Sequence, residues 1–380
     1  MTVWSAEFAC PAAAPRAMTS LRLERYWRQA VVLLLVSAVH LMSIAQVAHG
    51  AQSAAAGMSE SDVAAWLARL QNASRERNYI GTFVVSSSSG ALASARIWHA
   101  CQGDQQIERV ESLTGRPRSM FRHNDQVVTL LPEAKVARTE RRESLGSFPG
   151  LLKSLDATIT DFYTARPDGR SRVAGFDADV TELTPKDDLR FGYRVYSDRE
   201  TSLVLKVQTV DAQDHVLEQA AFSDLQMDAP VQIEKLAGMM QAPDGWRVET
   251  SAMVKTDASA MGWTLERPVA GFKPVQCYER ALGGGNGAAE VAAAPEHAMH
   301  CVFSDGLASV SLFVEPFDPQ RHIKAGQMAM GATHTLTRRI DGNGGDDGDP
   351  GGWWLTAVGE VPLRTLDLFG RGLKRVPPPR

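Results

Sequence analysis

No Gly-x-Ser-x-Gly motif occurs in the chain, and no cysteine stands with a convincing histidine partner, so nucleophilic catalysis of the hydrolase type has no constellation here. Positive charge is short as well. Residues 1–50 hold Arg16, Arg22, Arg25, Arg28, Glu7 and Glu24, so of 40 basic and 44 acidic residues 36 and 42 remain beyond them, formally −6. Nucleic acid rewards clustered positive charge, and a nucleic-acid partner is excluded on that ground. Beyond residue 50 no apolar run approaches membrane length, which predicts a soluble body.

The one long apolar run, Ala30 to Val47, follows Arg22, Arg25 and Arg28 and ends at Ala48, Gly50 and Ala51. This order reads as a secretory leader over residues 1–51, cleaved near 48–53, with the residues before Met18 an over-extended start. The run is also about long enough to span a bilayer as an uncleaved anchor. His40, Ser43 and Gln46 favour cleavage, and both readings export the remainder. Cys10 goes with the leader. In an oxidising compartment Cys277 and Cys301, which flank a Gly/Ala-rich loop at 283–295, are the expected disulfide. Cys101 is then a free cysteine acting as a small apolar residue.

From Leu189 to Met227 the chain alternates with period two. Leu189, Phe191, Tyr193 and Val195 interleave with Arg190, Gly192, Arg194 and Tyr196, a strand with one wet face. Leu203, Leu205 and Val207 repeat the pattern, and a third strand runs from His215 to Phe222, giving an antiparallel meander. Upstream, Ser59 to Asn78 reads as a helix capped by Ser59 with Asp62, its stripe made by Val63, Trp66, Leu67 and Leu70. Five short strands follow, over Tyr79 to Ser86, Ala93 to Cys101, Gln105 to Ser112, Arg118 to Phe121 and Gln126 to Leu131, then a helix over Phe148 to Asp156 and a strand over Ser171 to Leu183. The first domain is expected over 58–229, a linker over 230–245, and a second domain over 246–374 opening with a strand from Trp246 to Val254. Its later strands are Thr264 to Arg267, Val275 to Ala281, Met299 to Phe303, Ala308 to Val314 and Leu355 to Gly359, before a closing helix at Leu363 to Leu373 and a tail over 375–380. The class is α+β, with a curled, barrel-like sheet filled by helices.

Other clusters carry little chemistry. Gly283 to Gly287 lacks the strand-to-helix context and the Lys-Ser/Thr of a phosphate loop. Glu296, His297, His300 and Cys301 are metal-ligand types, but on a strand His297 and His300 point to opposite faces. The Asp/Gly-rich stretch from Asp341 to Asp349 lacks calcium-loop spacing. No cofactor or metal is expected. Arg138 to Arg142 is the one basic cluster, either a solvated loop or a contact for lipid phosphates or an acidic segment. Trp66, Trp98, Phe191 and Tyr193 read as core or as the lining of a ligand cavity.

In combination several pieces resemble the RseB/MucB family of periplasmic regulators. They are Trp66-Leu67 with Asn78-Tyr79 and Phe83, Arg96 to His99, Gly115 to Arg118, Gly169 to Gly175, Gly271-Phe272, Phe303 to Ser311, and Val358-Gly359-Glu360-Val361-Pro362. The resemblance implies a first domain like the lipoprotein carriers LolA and LolB, an incomplete antiparallel barrel with an apolar cavity, and a smaller mixed α/β second domain. It implies no enzymatic activity. The implied role is a periplasmic negative regulator of the envelope-stress sigma factor. Such a regulator binds the periplasmic domain of an RseA- or MucA-like anti-sigma factor, shields it from the site-1 protease, and releases it on meeting lipopolysaccharide or lipid A acyl chains. Expected lipid-cavity residues are Trp66, Phe83, Trp98, Phe191, Tyr193, Val195, Leu203 and Leu205. Expected partner contacts are Ser304, Asp305, Gly306 and Leu307 with Arg141 and Arg142, and a homodimer is a further expectation. The competing class is a LolA-type carrier of lipoprotein acyl chains, which the presence of a second domain disfavours.

Overall fold

The computed structural model of the chain describes residues 57–141, 148–152, 159–250, 253–282, 296–340 and 352–376. The first sheet takes twelve strands: Tyr79–Ser87 (β1), Leu92–Gln102 (β2), Gln105–Ser112 (β3), Ser119–His123 (β4), Gln126–Leu131 (β5), Val136–Arg141 (β6), Tyr163–Val173 (β7), Phe176–Pro185 (β8), Gly192–Asp198 (β9), Val204–Val210 (β10), Val216–Met227 (β11) and Arg247–Thr250 (β12). Their order is β12-β6-β5-β4-β3-β2-β1-β11-β10-β9-β8-β7. Neighbours are antiparallel except β12, which lies parallel to β6. The two end strands do not pair with each other, so the sheet curls into an incomplete barrel.

Helix α1, Glu60–Glu76, packs on one face of this sheet. Ser59 caps it, its Oγ accepting the Asp62 amide at 3.2 Å, which satisfies one of the four orphan N–H groups of the first turn. Val63, Trp66, Leu67 and Leu70 then pack on Tyr193, Val195 and Val204, as the 3.6-residue stripe requires. Burying four such side chains is worth about 1.5–3 kcal/mol each.

The second sheet holds Met253–Thr256 (β13), Lys273–Leu282 (β15), Glu296–Ser304 (β16), Ser309–Pro316 (β17), Gly326–Met330 (β18), Thr333–Ile340 (β19) and Trp353–Gly359 (β20), while Trp263–Leu265 (β14) pairs with Leu373–Arg375 (β21). One face of the larger sheet is covered by the helix Leu363–Gly372, whose Leu366 and Phe369 are fully buried against Val310, Leu312 and Leu355. Cys277 and Cys301 stand directly opposite each other on β15 and β16 and form a disulfide.

Several expectations are corrected. The single strand over Ser171 to Leu183 is a hairpin, because Ala174 and Gly175 both take positive φ, 49° and 89°, the geometry of a two-residue turn whose twist matches its strands. The expected linker is packed: the helix Ile233–Met239 sets Leu236 on Ala100 and Ile107, and Met240 sits on Phe121 and Val128. The strand expected over Trp246 to Val254 is two, β12 closing the first sheet and β13 opening the second. Strands β18 and β19 were not foreseen. The helix expected over Phe148 to Asp156 falls partly outside the described residues, and 148–152 carry no helix, whereas Ile159–Phe162 forms a short one. Gly283 to Gly287 and the stretch 341–349 lie outside the described residues.

Candidate functional site at the junction of the two sheets

Period-two reading puts Arg190 on a wet face, but the strand begins only at Gly192, and Arg190 sits in the loop before it with a side chain wholly removed from solvent. An isolated buried guanidinium is costly, so its surroundings must answer its donors. Nε donates to Asp305 Oδ2 at 2.8 Å, Nη2 to the Ala270 carbonyl at 2.6 Å, and Nη1 to Asp187. The cation also lies over the Phe162 and Phe272 rings, 4.4 and 5.1 Å from their centroids, where the ring quadrupole favours positive charge.

Asp305, 115 residues further on, is equally buried and fully used. Its Oδ1 accepts the amides of Leu307 and Ala308 at 2.9 and 2.8 Å, and Oδ2 accepts Tyr163 Oη at 3.3 Å besides Arg190. Ser304 Oγ donates to the Ala308 carbonyl at 2.7 Å and accepts the Gly306 amide at 3.0 Å. The Ser304 to Leu307 turn is thus closed by its own side chains. Gly271 has φ +82°, and a Cβ there would lie 2.5 Å from Arg190 Nη2 and 2.9 Å from the Phe162 ring, so only glycine passes the arginine.

Apolar side chains cross the same junction in both directions. Leu307 belongs to the first sheet's core with Val63, Trp66 and Leu67, and Leu189 packs on the core of the second. Thr365 Oγ1 donates to the Leu189 carbonyl at 2.6 Å, and Arg364 pairs with Asp188. A second contact lies at Gly331, where a Cβ would meet Ser87 Cβ at 2.7 Å. Burial pushes the Tyr163 and Tyr193 hydroxyls well above the usual phenol range, with the Asp305 charge adding to it. Burial also raises the Glu218 carboxyl, and Glu360 across the seam adds to the effect. Among the described residues no nucleophile with a base gathers at this junction, and no group of His, Cys, Asp and Glu could hold a metal. What the arrangement does is fix two sheets against each other.

The eight residues expected to line one cavity are not brought to one wall. Trp66, Tyr193 and Val195 belong to the cluster under α1, and Phe83, Leu203 and Leu205 to another with Phe222 and Tyr79. Trp98 packs under Leu236, between the Arg96 and Arg109 cations. Phe191 meets His334 of the second domain edge to face at 5.5 Å. In β10 a bulge between Val204 and Lys206 sends Leu205 and Val207 into different clusters. Two clefts of about 680 and 650 Å³ open beside α1, the first with a largely polar lining and the second lined about equally by polar and apolar surface, and of the eight only Trp66 borders either. Ser304, Asp305, Gly306 and Leu307 are buried at the junction rather than presented to solvent. Arg141 ends β6 opposite Gln126, and Arg142 lies outside the described residues. His297 pairs with Glu279 and His300 stacks on Phe313, apart from the disulfide-bonded Cys301. Cys101 is free, and its amide donates to Asn78 Oδ1 at 2.8 Å. Arg190 was the residue missed; its only signal was a charge followed by Phe191, Gly192 and Tyr193, all buried.

Two family models match the chain in order, the MucB/RseB N-terminal domain over residues 62–240 and the MucB/RseB C-terminal domain over residues 257–374. The chain is similar to the sigma factor AlgU regulatory protein MucB of Pseudomonas aeruginosa, 26% identical over 327 residues that span 86% of this chain and 95% of the relative. It is similar at 22% identity over 318 residues to the sigma-E factor regulatory protein RseB of Escherichia coli K12, spanning 82% and 90%. Among solved structures, the Pseudomonas aeruginosa MucA/MucB complex contains a chain of 25% identity and TM-score 0.61, matched over 83% of this chain and 99% of that one. MucB in complex with MucA(peri) gives 26% identity and TM-score 0.59 over 84% and 99%. Both domains of the relatives, and hence the junction between them, are therefore spanned.

Proposed function

The chain belongs to the MucB/RseB family of sigma-factor regulatory proteins, and on that premise we propose that it is a periplasmic negative regulator that binds the periplasmic domain of a MucA- or RseA-like anti-sigma factor and shields it from the first proteolytic cut. The observation that carries the reading is the match, across both domains, to MucB chains solved with MucA. The junction supplies the physical means. A partner reaching across both domains meets a surface whose two halves are already set by the Arg190–Asp305 pair and the crossed leucines, so little ordering entropy is lost on binding. Lipopolysaccharide or lipid A acyl chains are the proposed release signal. Because the expected wall residues are packed core, an acyl chain would have to open that packing, and linkage requires the partner to weaken lipid binding by the same factor that lipid weakens the partner.

The test is calorimetric titration of the purified protein with the periplasmic domain of the anti-sigma factor from the same genome, repeated with lipid A present. Saturable binding, lost progressively with lipid A, supports the proposal. No binding refutes the regulator reading, and affinity unchanged by lipid A refutes the release signal alone.

A further inference from the structure

A single exposed apolar side chain on a protein surface is ordinary, whereas neighbouring ones rimmed by polar groups mark an interaction site. Val248 lies between Arg247 and Glu249, and Ile323 stands beside Lys324, each alone among charges. Leu92 and Leu113 are 67% and 53% exposed and stand together. The Leu113 amide donates to the Ser94 carbonyl at 2.9 Å, one step beyond the Ala95–Ser112 pair of β2 and β3. Leu113 is therefore opposite Ser94, and Leu92, two residues before Ser94, shares its face. On that face the helix Ile233–Met239 covers Ala100 and Ile107, but Ala100 is about 26 Å along the strand from Leu92, and both leucines are left bare. The second domain reaches this end from the other side, since Gly331 approaches Ser87, whereas Leu92 is paired with Ser86.

We propose that these two strand ends dock on the surface of an anionic phospholipid bilayer, with Leu92 and Leu113 entering the acyl boundary and Arg116 and Arg118 meeting the phosphates. Two leucine side chains are a small part of the ~800 Å² that each partner gives to a standard protein interface, whereas shallow entry into lipid needs only apolar prongs with no charge beside them. Leu92 is preceded by Ser88-Ser89-Gly90-Ala91 and Leu113 is followed by Thr114-Gly115, so no charge is drawn down with the leucines. Arg116 and Arg118 come next, both exposed. Arg118 pairs with no carboxylate among the described residues, and the Arg116 side chain, 92% exposed, reaches Glu133 only at 3.9 Å. The acids of the turn between β10 and β11 are occupied, Asp211 by His215 and Asp214 by Arg194. The excess at the tips is therefore positive. Guanidinium forks match phosphate oxygens, and basic side chains within a Debye length of an anionic leaflet are drawn to it. Cys101, at the far end of β2, borders the larger cleft beside α1, and Ser202 borders both clefts, so this surface is separate from either. The inference is independent of the anti-sigma reading.

Co-sedimentation of the purified protein with vesicles free of lipopolysaccharide tests it, with thermal unfolding as the control that each variant folds. Wild type should bind mixed phosphatidylglycerol and phosphatidylcholine vesicles at low salt, and pure phosphatidylcholine about tenfold or more weakly. Leu92→Ser with Leu113→Ser should weaken binding to the mixed vesicles about tenfold or more, and Arg116→Gln and Arg118→Gln about fivefold each. Ile323→Ser, which removes a still more exposed side chain elsewhere, should leave binding as it is. A wild type that ignores anionic vesicles, or an Ile323→Ser loss equal to that of the leucine pair, overturns the proposal. So does binding that falls with the arginines but not with the leucines, which is adsorption by charge alone. Loss of anti-sigma binding in the leucine pair, with no vesicle binding by wild type, overturns it in favour of a protein partner at the same tips.

Discussion

Replacing Asp305 by asparagine tests whether the buried pair holds the two sheets together. Both side chains of the pair are fully removed from water, and removing one member of such a pair costs about 3–5 kcal/mol, because the survivor is left buried without its counter-charge. The introduced amide would keep an oxygen for the Leu307 and Ala308 N–H groups, but its NH2 would face Arg190 Nε, donor against donor, while the Tyr163 hydroxyl could turn to accept. Asp187 still touches Arg190 and is partly exposed, so the loss belongs at the low end, about 3 kcal/mol. Arg190→Met strands the carboxylate instead and should cost a similar amount. With both substitutions neither charge is stranded, and the double variant should be destabilised by about 3 kcal/mol rather than twice that, a coupling of ~2–3 kcal/mol. The assay is urea unfolding followed by tryptophan fluorescence and far-ultraviolet circular dichroism. In the single variants the two probes should separate, since loss of the junction leaves two domains to unfold independently. Single variants within ~0.5 kcal/mol of wild type, or effects that simply add, refute the reasoning.

Three further outcomes follow from the same interior. Tyr79, Tyr163 and Tyr193 have hydroxyls raised well above the usual range by burial, so their stabilising contribution is complete below the unfolded value of about 10 and is lost as pH rises from there. An absorbance titration at alkaline pH should show these three ionising only within the unfolding transition. Glu218, raised by burial and by Glu360, has the opposite consequence at neutral pH. Its contribution is present below the unfolded value of about 4.3 and lost as pH rises through the folded one, so Glu218→Gln should stabilise by about 0.5 kcal/mol at pH 7 and by nothing near pH 4 in thermal unfolding. Reducing Cys277–Cys301, which closes a separation of 24 residues, should destabilise the second domain by about 3.5 kcal/mol on loop-closure entropy, measured as a downward shift of its urea midpoint.

What the sequence made legible was local. Ser59 with Asp62, the Val63–Leu70 stripe and the polar breaks between short strands each act within a few residues, and α1 and β1 to β5 came out within about two residues of their observed ends, the usual margin at element boundaries. What it hid was non-local or lay in single backbone steps. The hairpin at Ala174 turns on one alanine with positive φ, where sequence rules expect Asn or Gly. The bulge beside Leu205 inverts a face without changing composition. Strand β12 leaves the second domain's expected opening strand because Arg247 finds a parallel partner at Val136, 111 residues earlier.

Arg190 is the case with consequences for function. Alternation assigns faces within one sheet on the assumption that whatever lies beyond the wet face is water, and here it is the second domain. The same error, made from the other side, presents the Ser304 to Leu307 turn as a surface loop. If Asp305 gripped a partner directly, Asp305→Asn would weaken partner binding whereas Arg190→Met, which leaves that carboxylate in place, would not. If instead the pair sets the arrangement of the domains, each substitution should weaken the partner by a similar factor, and the double variant should weaken it no further, since both break one contact. The two accounts therefore differ in whether Arg190→Met weakens the partner at all, which a calorimetric titration of the four proteins reads directly. Unequal single variants would return the turn to the partner's surface.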